Sequence, residues 1–317
     1  MLIKLRIGSR PSKLALVQAS IVAQKLTEAI GGIEIEIVEI RTSGDKLTTG
    51  SLAQVGGKGL FIKELEQALA DRSVDIAVHS MKDLPAVLPE QFKIVSVPQR
   101  ENTADVLVTR DGVALTALKA GTRLGTSSPR RRFQALRINR SLEIVALRGN
   151  VDTRLKRVAE GELDAIIIAM AGLKRLGRTG EVKFVELPGS DFIPAGGQGA
   201  LAIETLAERR VGGSSELDRA LNAINDSRAF YEAASERAFL AGIGASCVTP
   251  VGVRAIIAGG NLSVSAMLFS ADGSRELSES IEEPVDADLA PSAAARAGER
   301  LAEKILARGG AELLGDE

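Results

Sequence analysis

Residues 124–157 read LGTSSPRRRFQALRINRSLEIVALRGNVDTRLKR, and their alternating pattern decides the fold of the middle of the chain. Short apolar runs predict strands, and each is followed by a stretch with helical spacing. A Ser-Ser-Pro sequence is typical of the start of one helix, and Asn150 or Asp152 can cap the next. This order, followed by the apolar run 164–170, predicts an α/β lobe with a parallel sheet.

The same stretch concentrates positive charge. Together with Arg123 it carries ten basic residues and two acidic ones, although the whole chain has a formal net charge of −1. Arginine forks suit carboxylate or phosphate groups, and a helix start favours anions through its free amides and its dipole. A solvated basic surface with weak ion pairs is the alternative. Because both predicted helix starts should lie at one edge of the sheet, we favour an anion-binding site.

The N-terminal part repeats the strand–helix–strand order. An apolar-alternating run at residues 4–7 precedes a helix that Ser12 can cap and that extends to about residue 30. Residues 34–40 alternate between acidic and apolar side chains, which is typical of a strand. This order again favours a parallel sheet.

Residues 42–59 are polar and glycine-rich and have no periodicity. We interpret them as a lid over a site, since long loops of this kind are often functional. The apolar run 75–79 then predicts a buried strand that delivers Ser80, Lys82 and Asp83 at its C-terminal end. Ligands of open parallel sheets bind at that edge.

Two hinges are predicted, at residues 98–102 and 193–199, where proline and glycine interrupt the pattern. The chain would therefore cross twice between two periplasmic-binding-protein-like α/β lobes with a cleft between them. A helical stretch at 214–241 that breaks near residues 225–226, a hairpin that turns at residues 259–261 and a last helix at 293–307 predict a small C-terminal α+β domain. The expected domains are residues 1–98 with 199–217, residues 103–194, and residues 220–317.

The composition argues against several classes of protein. The chain has no Trp and only one Tyr, which disfavours stacking on single-stranded nucleic acid. No stretch approaches the ~20 apolar residues of a membrane span, and no cleavable leader is evident, so we expect a cytoplasmic protein. One cysteine and one histidine exclude an internal disulfide and a Cys/His zinc site, and no metal is expected. Nothing suggests an obligate interface, so we expect a monomer.

Three single residues matter for chemistry. Asp83 would repel an anionic ligand from a basic cleft, so we interpret it as a group that handles a proton or a developing positive charge, with a helix cap or ion pair as the alternative. His79, in an apolar strand, is interpreted as a core residue. Cys247 follows a run of small residues in a loop. It is either a small buried hydrophobe or an attachment site or nucleophile.

Eight stretches spread over the chain form a characteristic set. They are IGSRPSKLAL (7–16), RTSGDK (41–46), VGGKGLFIKELE (55–66), DIAVHSMKDLP (75–85), GTSSPRRR (125–132), LRGNVDTRL (147–155), PAGGQGALAIE (194–204) and CVTP (247–250). Together they resemble the porphobilinogen deaminase (hydroxymethylbilane synthase) family. The resemblance implies a transferase that joins four porphobilinogen molecules head to tail, with loss of ammonia, into 1-hydroxymethylbilane. It also implies a dipyrromethane cofactor bound to Cys247 by a thioether.

The resemblance also implies roles for single residues. Asp83 matches the family's catalytic aspartate, which would stabilise the charge of an electron-poor azafulvene and guide protons. Cofactor contacts are implied for Ser80, Lys82, Thr126, Ser127, Ser128, Arg130, Arg131, Arg148 and Gly149. Substrate contacts are implied for Arg10, Ser12, Gln18, Lys58, Phe61, Arg148, Arg154, Arg175 and Gln198. The acetate and propionate of each pyrrole explain a basic cleft without nucleic acid.

The chain departs from the family pattern at three places. Gln54 stands where relatives often carry lysine, Gly244-Ala245-Ser246 precedes the cysteine in place of Gly-Gly, and the stretch 205–215 is longer than usual. Two other functions remain as alternatives. A non-enzymatic two-lobed anion sensor would explain the lobes and arginines but would give Asp83 and Cys247 no task. A nucleic-acid-binding protein would explain only the basic stretch.

Overall fold

The computed structural model describes residues 3–42, 62–208, 216–246, 248–285 and 291–315. Within these ranges the chain forms two α/β lobes, each with a five-stranded sheet, and a C-terminal domain with a three-stranded sheet. The chain crosses twice between the lobes. The fold class predicted from the sequence is therefore confirmed.

The first lobe is an α/β unit in which strands and helices share one core. Its elements are β1 (Ile3–Ser9), α1 (Lys13–Ile30), β2 (Ile33–Glu39), α2 (Lys63–Ala70), β3 (Ile76–Ser80), β4 (Phe92–Ser96) and β10 (Leu201–Leu206). Leu5 and Ile7 of β1 are fully buried against Val22 and Leu26 of α1. Burying one such side chain is worth about 1.5–3 kcal/mol, so this face stabilises the strand–helix–strand unit.

The first sheet has the order β2-β1-β3-β10-β4 and is mixed rather than purely parallel. β1 pairs in parallel with β2 and β3, as the sequence predicts. β10, which returns from the second lobe, runs antiparallel to both of its neighbours, β3 and β4, and this corrects the expectation of a parallel sheet. Leu201 lies opposite Ser80 in this register. The return strand therefore supports the end of β3 that delivers Lys82 and Asp83.

The second lobe contains the basic stretch. Its elements are β5 (Asp105–Thr109), β6 (Arg123–Gly125), α3 (Pro129–Ile138), β7 (Glu143–Val145), α4 (Val151–Ala159), β8 (Ala165–Ala169), α5 (Met170–Arg175) and β9 (Phe184–Glu186). The sheet order is β7-β6-β8-β5-β9, and β5 is antiparallel to β8 and β9. Of the two candidate caps of α4, Asn150 is the one used, because its side chain accepts a hydrogen bond from the Thr153 N–H at 2.8 Å.

The C-terminal domain packs two helices on an antiparallel sheet. The elements from residue 216 onward are α6 (Glu216–Ala223), α7 (Ser227–Gly242), β11 (Val251–Ala258), β12 (Asn261–Phe269), β13 (Glu276–Pro284), α8 (Pro291–Ile305) and α9 (Ala311–Leu314). The helix break and the hairpin are confirmed. β13 was not predicted, since its sequence ELSESIEEP has few apolar residues.

The predicted boundary between residues 217 and 220 falls inside α6. Leu217, Ala220 and Leu221 are buried in the same cluster as the residues of α1 and β1. We therefore propose that the first lobe extends to residue 223 and that the third domain begins with α7. The other boundaries stay as proposed at the two crossings.

Candidate functional site

The catalytic candidates lie at the C-terminal end of β3. The strand ends at Ser80 and continues into a single 3₁₀ turn over Met81–Asp83. The Met81 N–H donates to the Ala200 carbonyl at 3.0 Å, and the Met81 side chain is buried. Because this residue is anchored at both backbone and side chain, its neighbours Lys82 and Asp83 are held with their side chains exposed to the cleft.

Two predicted substrate contacts lie on the N-terminal helix beside this turn. The Gln18 amide donates to the Ser80 hydroxyl at 2.8 Å, and Gln18 is buried. Ser12 caps α1 by accepting a hydrogen bond from the Ala15 N–H at 3.3 Å, as the sequence predicts. The Ser12 hydroxyl keeps its own proton for donation to a ligand. Arg10 is half-buried just before this cap and already has a contact in the protein.

Three hydroxyls surround the start of α3. Ser128 caps the helix by accepting from the Arg131 N–H at 3.4 Å, and the Thr126 hydroxyl accepts from the Ser128 N–H at 3.2 Å. The Ser127 hydroxyl accepts from the Leu147 N–H at 2.9 Å. Each hydroxyl thus helps to fix the loop while it retains one O–H donor. The sequence brings them together as predicted, although their contacts with a cofactor stay a prediction.

Arg130 and Arg131 already hold a carboxylate of the protein itself. Asp105, at the start of β5, lies 2.7 Å from Nη1 of Arg130 and 2.7 Å from Nη2 of Arg131, and all three side chains are buried. Burial alone would raise the pKa of Asp105, but the two guanidinium charges and their hydrogen bonds hold it far below its ordinary value. Asp105 was not predicted as a site residue from the sequence. Asp105 therefore fixes the positions of both guanidinium groups. Only the N–H groups that do not bind Asp105 can donate to a ligand.

The arginine pair is connected across the lobes to Lys82. Gln198, on the second crossing, donates from Nε2 to Asp105 at 3.1 Å and to the Thr103 carbonyl at 2.8 Å. Nζ of Lys82 lies 3.4 Å from Oε1 of the same amide. Gln198 was predicted as a substrate contact. In this structure it joins the two walls of the cleft.

The surroundings of Lys82 disfavour the charged form of its side chain. Its side chain is reachable by solvent, but it lies in the cleft among many protein atoms. This desolvation, with the charges of Arg131 and Arg130, lowers its pKa to about 8, while Asp83 and Asp105 oppose the shift. A carboxylate bound beside Lys82 would therefore stabilise the charged form.

Two further arginines lack a carboxylate partner within the described residues. Arg154 donates to the Gly149 carbonyl at 2.8 Å, and burial together with the charge of Arg131 lowers its pKa to about 10. Arg175 donates to the Gly199 carbonyl at 2.7 Å. Burial lowers its pKa to about 10, against the influence of Glu101. Both guanidinium groups would gain from an anion in the cleft.

Arg148 and Gly149 form the turn before α4. Arg148 is exposed and makes no hydrogen bond or ion pair with the part of the chain that the structure describes. Gly149 has φ +104°, and a Cβ there would lie 3.0 Å from the Thr153 side chain. Only glycine adopts this conformation without strain, so Gly149 sets the direction of Arg148. The contact of Arg148 with cofactor or substrate stays a prediction.

Three predicted site residues, Lys58, Phe61 and Cys247, lie outside the described residues, as does all of the predicted lid except Thr42. The cysteine is flanked by described residues on both sides. The Ser246 N–H donates to the Thr249 hydroxyl at 2.9 Å. α7 ends at Gly242, close before this loop.

His79 is a core residue, as predicted. Its Nε2 lies 2.9 Å from Oε2 of Glu204 on the neighbouring strand β10, and both side chains are buried. The structure places neither group at the cleft surface. His79 therefore belongs to the support of the site.

A buried ion pair, which the sequence did not indicate, holds both crossings. Arg100 binds the carboxylate of Glu236 on α7 with two hydrogen bonds of 2.9 and 2.8 Å, and it donates to the Gln198 carbonyl at 3.0 Å. Glu236 also accepts from the Gly197 N–H at 2.6 Å. Gly199 has φ +87°, and a Cβ there would lie 2.3 Å from the Glu101 carbonyl oxygen. The third domain thus fixes the two crossings side by side.

Among the residues that the structure describes, no helix is both long and apolar enough to cross a membrane. The same residues contain no group of three or more His, Cys, Asp or Glu side chains that could hold a metal ion. The proposed site residues that the structure describes include the Asp83 carboxylate, several hydroxyls and several arginines, and this set suits a ligand that carries several carboxylates.

Comparisons with solved structures show a loose likeness to periplasmic binding proteins. One is the probable amino-acid ABC transporter extracellular-binding protein of Bacillus subtilis, with a TM-score of 0.43 at 13% identity, covering 71% of this chain and 92% of that one. The Lactococcus lactis GlnP substrate-binding domain 2 in its open conformation gives a TM-score of 0.42 at 13% identity, covering 70% of this chain and 88% of that one. A likeness of this size says nothing about ligand or activity.

Comparisons with family models and curated proteins are much closer. Residues 5–211 match the dipyrromethane cofactor-binding domain of porphobilinogen deaminase, and residues 230–307 match its C-terminal domain. The porphobilinogen deaminase of Geobacter sulfurreducens is 40% identical over 313 residues, which cover 99% of this chain and 94% of the relative. That of Syntrophobacter fumaroxidans is 43% identical over 269 residues, covering 85% of each chain. With both domains matched in order, the chain belongs to the porphobilinogen deaminase family.

Proposed function

We propose that this protein joins four porphobilinogen molecules head to tail, releasing ammonia, to make 1-hydroxymethylbilane on a dipyrromethane primer attached to Cys247. One observation carries the assignment of the site. The exposed Asp83 and Lys82 at the end of β3 face the arginines of α3, and Gln198 and Asp105 connect the two walls by hydrogen bonds.

The donor set fits a dipyrromethane with its four carboxylates. The hydroxyls at the start of α3 keep free donors, and Arg148 has no partner among the described residues. Arg130 and Arg131 offer their remaining N–H groups, and Ser80, Lys82 and Gly149 complete the proposed contacts. When bound, the cofactor supplies a primer pyrrole to which substrate is added.

Asp83 is proposed as the catalytic residue. It is the acid at the end of β3, beside Lys82 and near the arginines of α3. As ammonia leaves porphobilinogen, positive charge develops on the pyrrole, and a carboxylate close to the pyrrole N–H stabilises that charge and can accept its proton.

The substrate carboxylates are proposed to bind the other cations and amides of the cleft. Arginine forks make paired hydrogen bonds to a carboxylate and therefore fix the orientation of each ring. The proposed substrate contacts are Arg10, Ser12, Gln18, Lys58, Phe61, Arg148, Arg154 and Arg175. Gln198, whose amide N–H groups donate to Asp105 and Thr103, is proposed to act on the substrate by holding Lys82 through its amide oxygen. The lid of residues 42–59 is proposed to cover the bound substrate and exclude water.

We also propose that the protein acts as a monomer in the cytoplasm. A single cysteine that must stay reduced before cofactor attachment suits a reducing compartment. Light scattering coupled to gel filtration should give a mass near 33.3 kDa plus the cofactor. A stable dimer at micromolar concentration would contradict this proposal.

Intact-mass measurement tests the attachment site. The purified protein should be heavier than its sequence by one dipyrromethane, and Cys247→Ala should remove both the excess mass and the activity. Ser246→Ala is the matched control in the same loop and should keep both. An active protein with the unmodified mass would contradict the cofactor assignment, and an unmodified protein that binds porphobilinogen without turnover would favour the anion-sensor alternative.

A pH series tests Lys82. Its lowered pKa means that the folded, cofactor-free protein holds this charge below about pH 8 and loses it above. Cofactor uptake by protein made in cells without porphobilinogen should therefore weaken between about pH 7 and about pH 9. Lys82→Arg, which stays charged, should not show this part of the decline, and Lys82→Gln should be slow throughout. Comparing the variants at each pH cancels the titration of the Cys247 thiol. Identical profiles for the wild type and Lys82→Arg would exclude the role of this charge.

A further inference from the structure

A groove of about 640 Å³ lies on the second lobe, between the start of α3, the edge strand β7 and the third domain. Part of its wall consists of Thr126, Ser127 and Ser128, the proposed cofactor contacts. Its floor is apolar, and the residues that form it are Phe133, Leu136, Leu142, Ile144 and Ala146. Ala271 of the third domain closes one side. The groove is therefore continuous with the proposed site but extends beyond it.

Two arginines line this groove. Arg132 and Arg148 are both exposed, and neither has an acidic partner within the described ranges. The guanidinium carbon of Arg132 lies 5.1 Å from the centroid of the Phe133 ring, which directs this side chain along the groove wall. The apolar floor of the groove and its two arginines together suit flat heteroaromatic rings that carry carboxylates.

The groove also lies beside the cofactor loop. The Phe269 N–H donates to the Pro250 carbonyl at 3.1 Å, so the end of β12 is tied to the segment just after the cysteine. Ala271 follows in the turn that the Ser270 N–H closes by donating to the Arg275 carbonyl at 3.0 Å. The end of β12 that borders the groove is therefore hydrogen-bonded to the described segment that follows residue 247.

Chain growth needs space of this kind. On the proposed function, one end of the chain is fixed at Cys247 and each new ring is joined at Asp83. Every addition therefore lengthens the part of the chain between Cys247 and Asp83. The rings in this part need a binding surface away from the direct line between the two residues. We propose that the groove is the binding site for these middle pyrroles, with Arg132 and Arg148 holding their carboxylates.

The population of covalent species tests this proposal. Holoenzyme is mixed with one to four equivalents of porphobilinogen, quenched in acid, and each ring added is read as a mass increment. Ala146→Trp fills the groove, and Arg132→Glu reverses a wall charge without filling it. Arg140→Gln, an exposed arginine beyond the end of α3, is the control for loss of charge on this lobe. Both groove variants should keep the cofactor and add the first ring at the wild-type rate, but add the third and fourth about tenfold to a hundredfold more slowly.

The outcomes separate this proposal from the proposed function. Accumulation of species with one or two added rings in both groove variants, and not in the control, supports the groove. Wild-type rates for all four additions in both variants would overturn it, and so would equal slowing of the first and fourth additions, since that indicates a general disturbance. A wild-type protein with no cofactor mass and no ring increments would overturn the proposed function as well.

Discussion

Replacing Asp83 by asparagine should lower turnover by about 10²–10⁴-fold while the fold and the attached cofactor remain. Asparagine has nearly the same shape, but it can neither accept the pyrrole proton nor balance the positive charge that develops as ammonia leaves. The side chain is exposed at the end of a turn that the buried Met81 anchors, so little packing is lost. The measurement is hydroxymethylbilane production, with intact mass and circular dichroism on the same samples.

The matched control for Asp83 is Glu90→Gln. This glutamate is exposed in the same connection between β3 and β4. Its replacement by glutamine removes the same charge as Asp83→Asn does, but outside the cleft. It should stay within about twofold of the wild type, because isolated surface charges contribute little. Turnover of Asp83→Asn near that of the control would remove Asp83 from the chemistry. Loss of the cofactor mass in Asp83→Asn would instead indicate a binding role.

Local elements of the fold could be predicted because they depend on nearby residues. The cap at Ser12, the cap at Ser128 and the break between α6 and α7 follow from side chains within a few positions of each helix start. The delivery of Asp83 at a strand end was likewise predictable from one apolar run. The strand–helix–strand order occurs twice along the chain, and parallel strands need such crossover helices. Two α/β lobes were therefore the expected result.

The supports of the site could not be predicted, because they pair residues that are far apart in sequence. Asp105 is 26 residues from Arg131 and 93 from Gln198, and Arg100 is 136 from Glu236. Nothing in the local pattern of an acid at the start of an apolar strand distinguishes a buried partner from a surface residue. The motif at residues 125–132 predicted that Arg130 and Arg131 are free to bind a ligand. In the folded protein both are already paired with the buried carboxylate of Asp105.

Asp105→Ala should be the most destabilising single change in the cleft. It leaves the guanidinium groups of Arg130 and Arg131 buried without their carboxylate, and breaking a buried pair typically costs about 3–5 kcal/mol. Asp111→Ala, an exposed acid just after the same strand, is the control and should change the free energy of unfolding by less than about 0.5 kcal/mol. Urea unfolding at neutral pH measures both. A loss no larger than that of the control would show that the pair does not stabilise the fold.

The pH dependence of that loss follows from the depressed pKa of Asp105. A carboxyl with a lowered folded-state pKa stabilises the protein above its unfolded pKa of about 3.9, and the contribution fades as the pH falls towards the folded value. The difference between the wild type and Asp105→Ala should therefore be constant from about pH 5 to 8 and shrink below about pH 4. Adding Arg131→Met should recover part of the loss, since one unpaired charge fewer stays buried. If the double variant is as unstable as Asp105→Ala, then Asp105 acts through its hydrogen bond with Gln198 and not by neutralising the arginines.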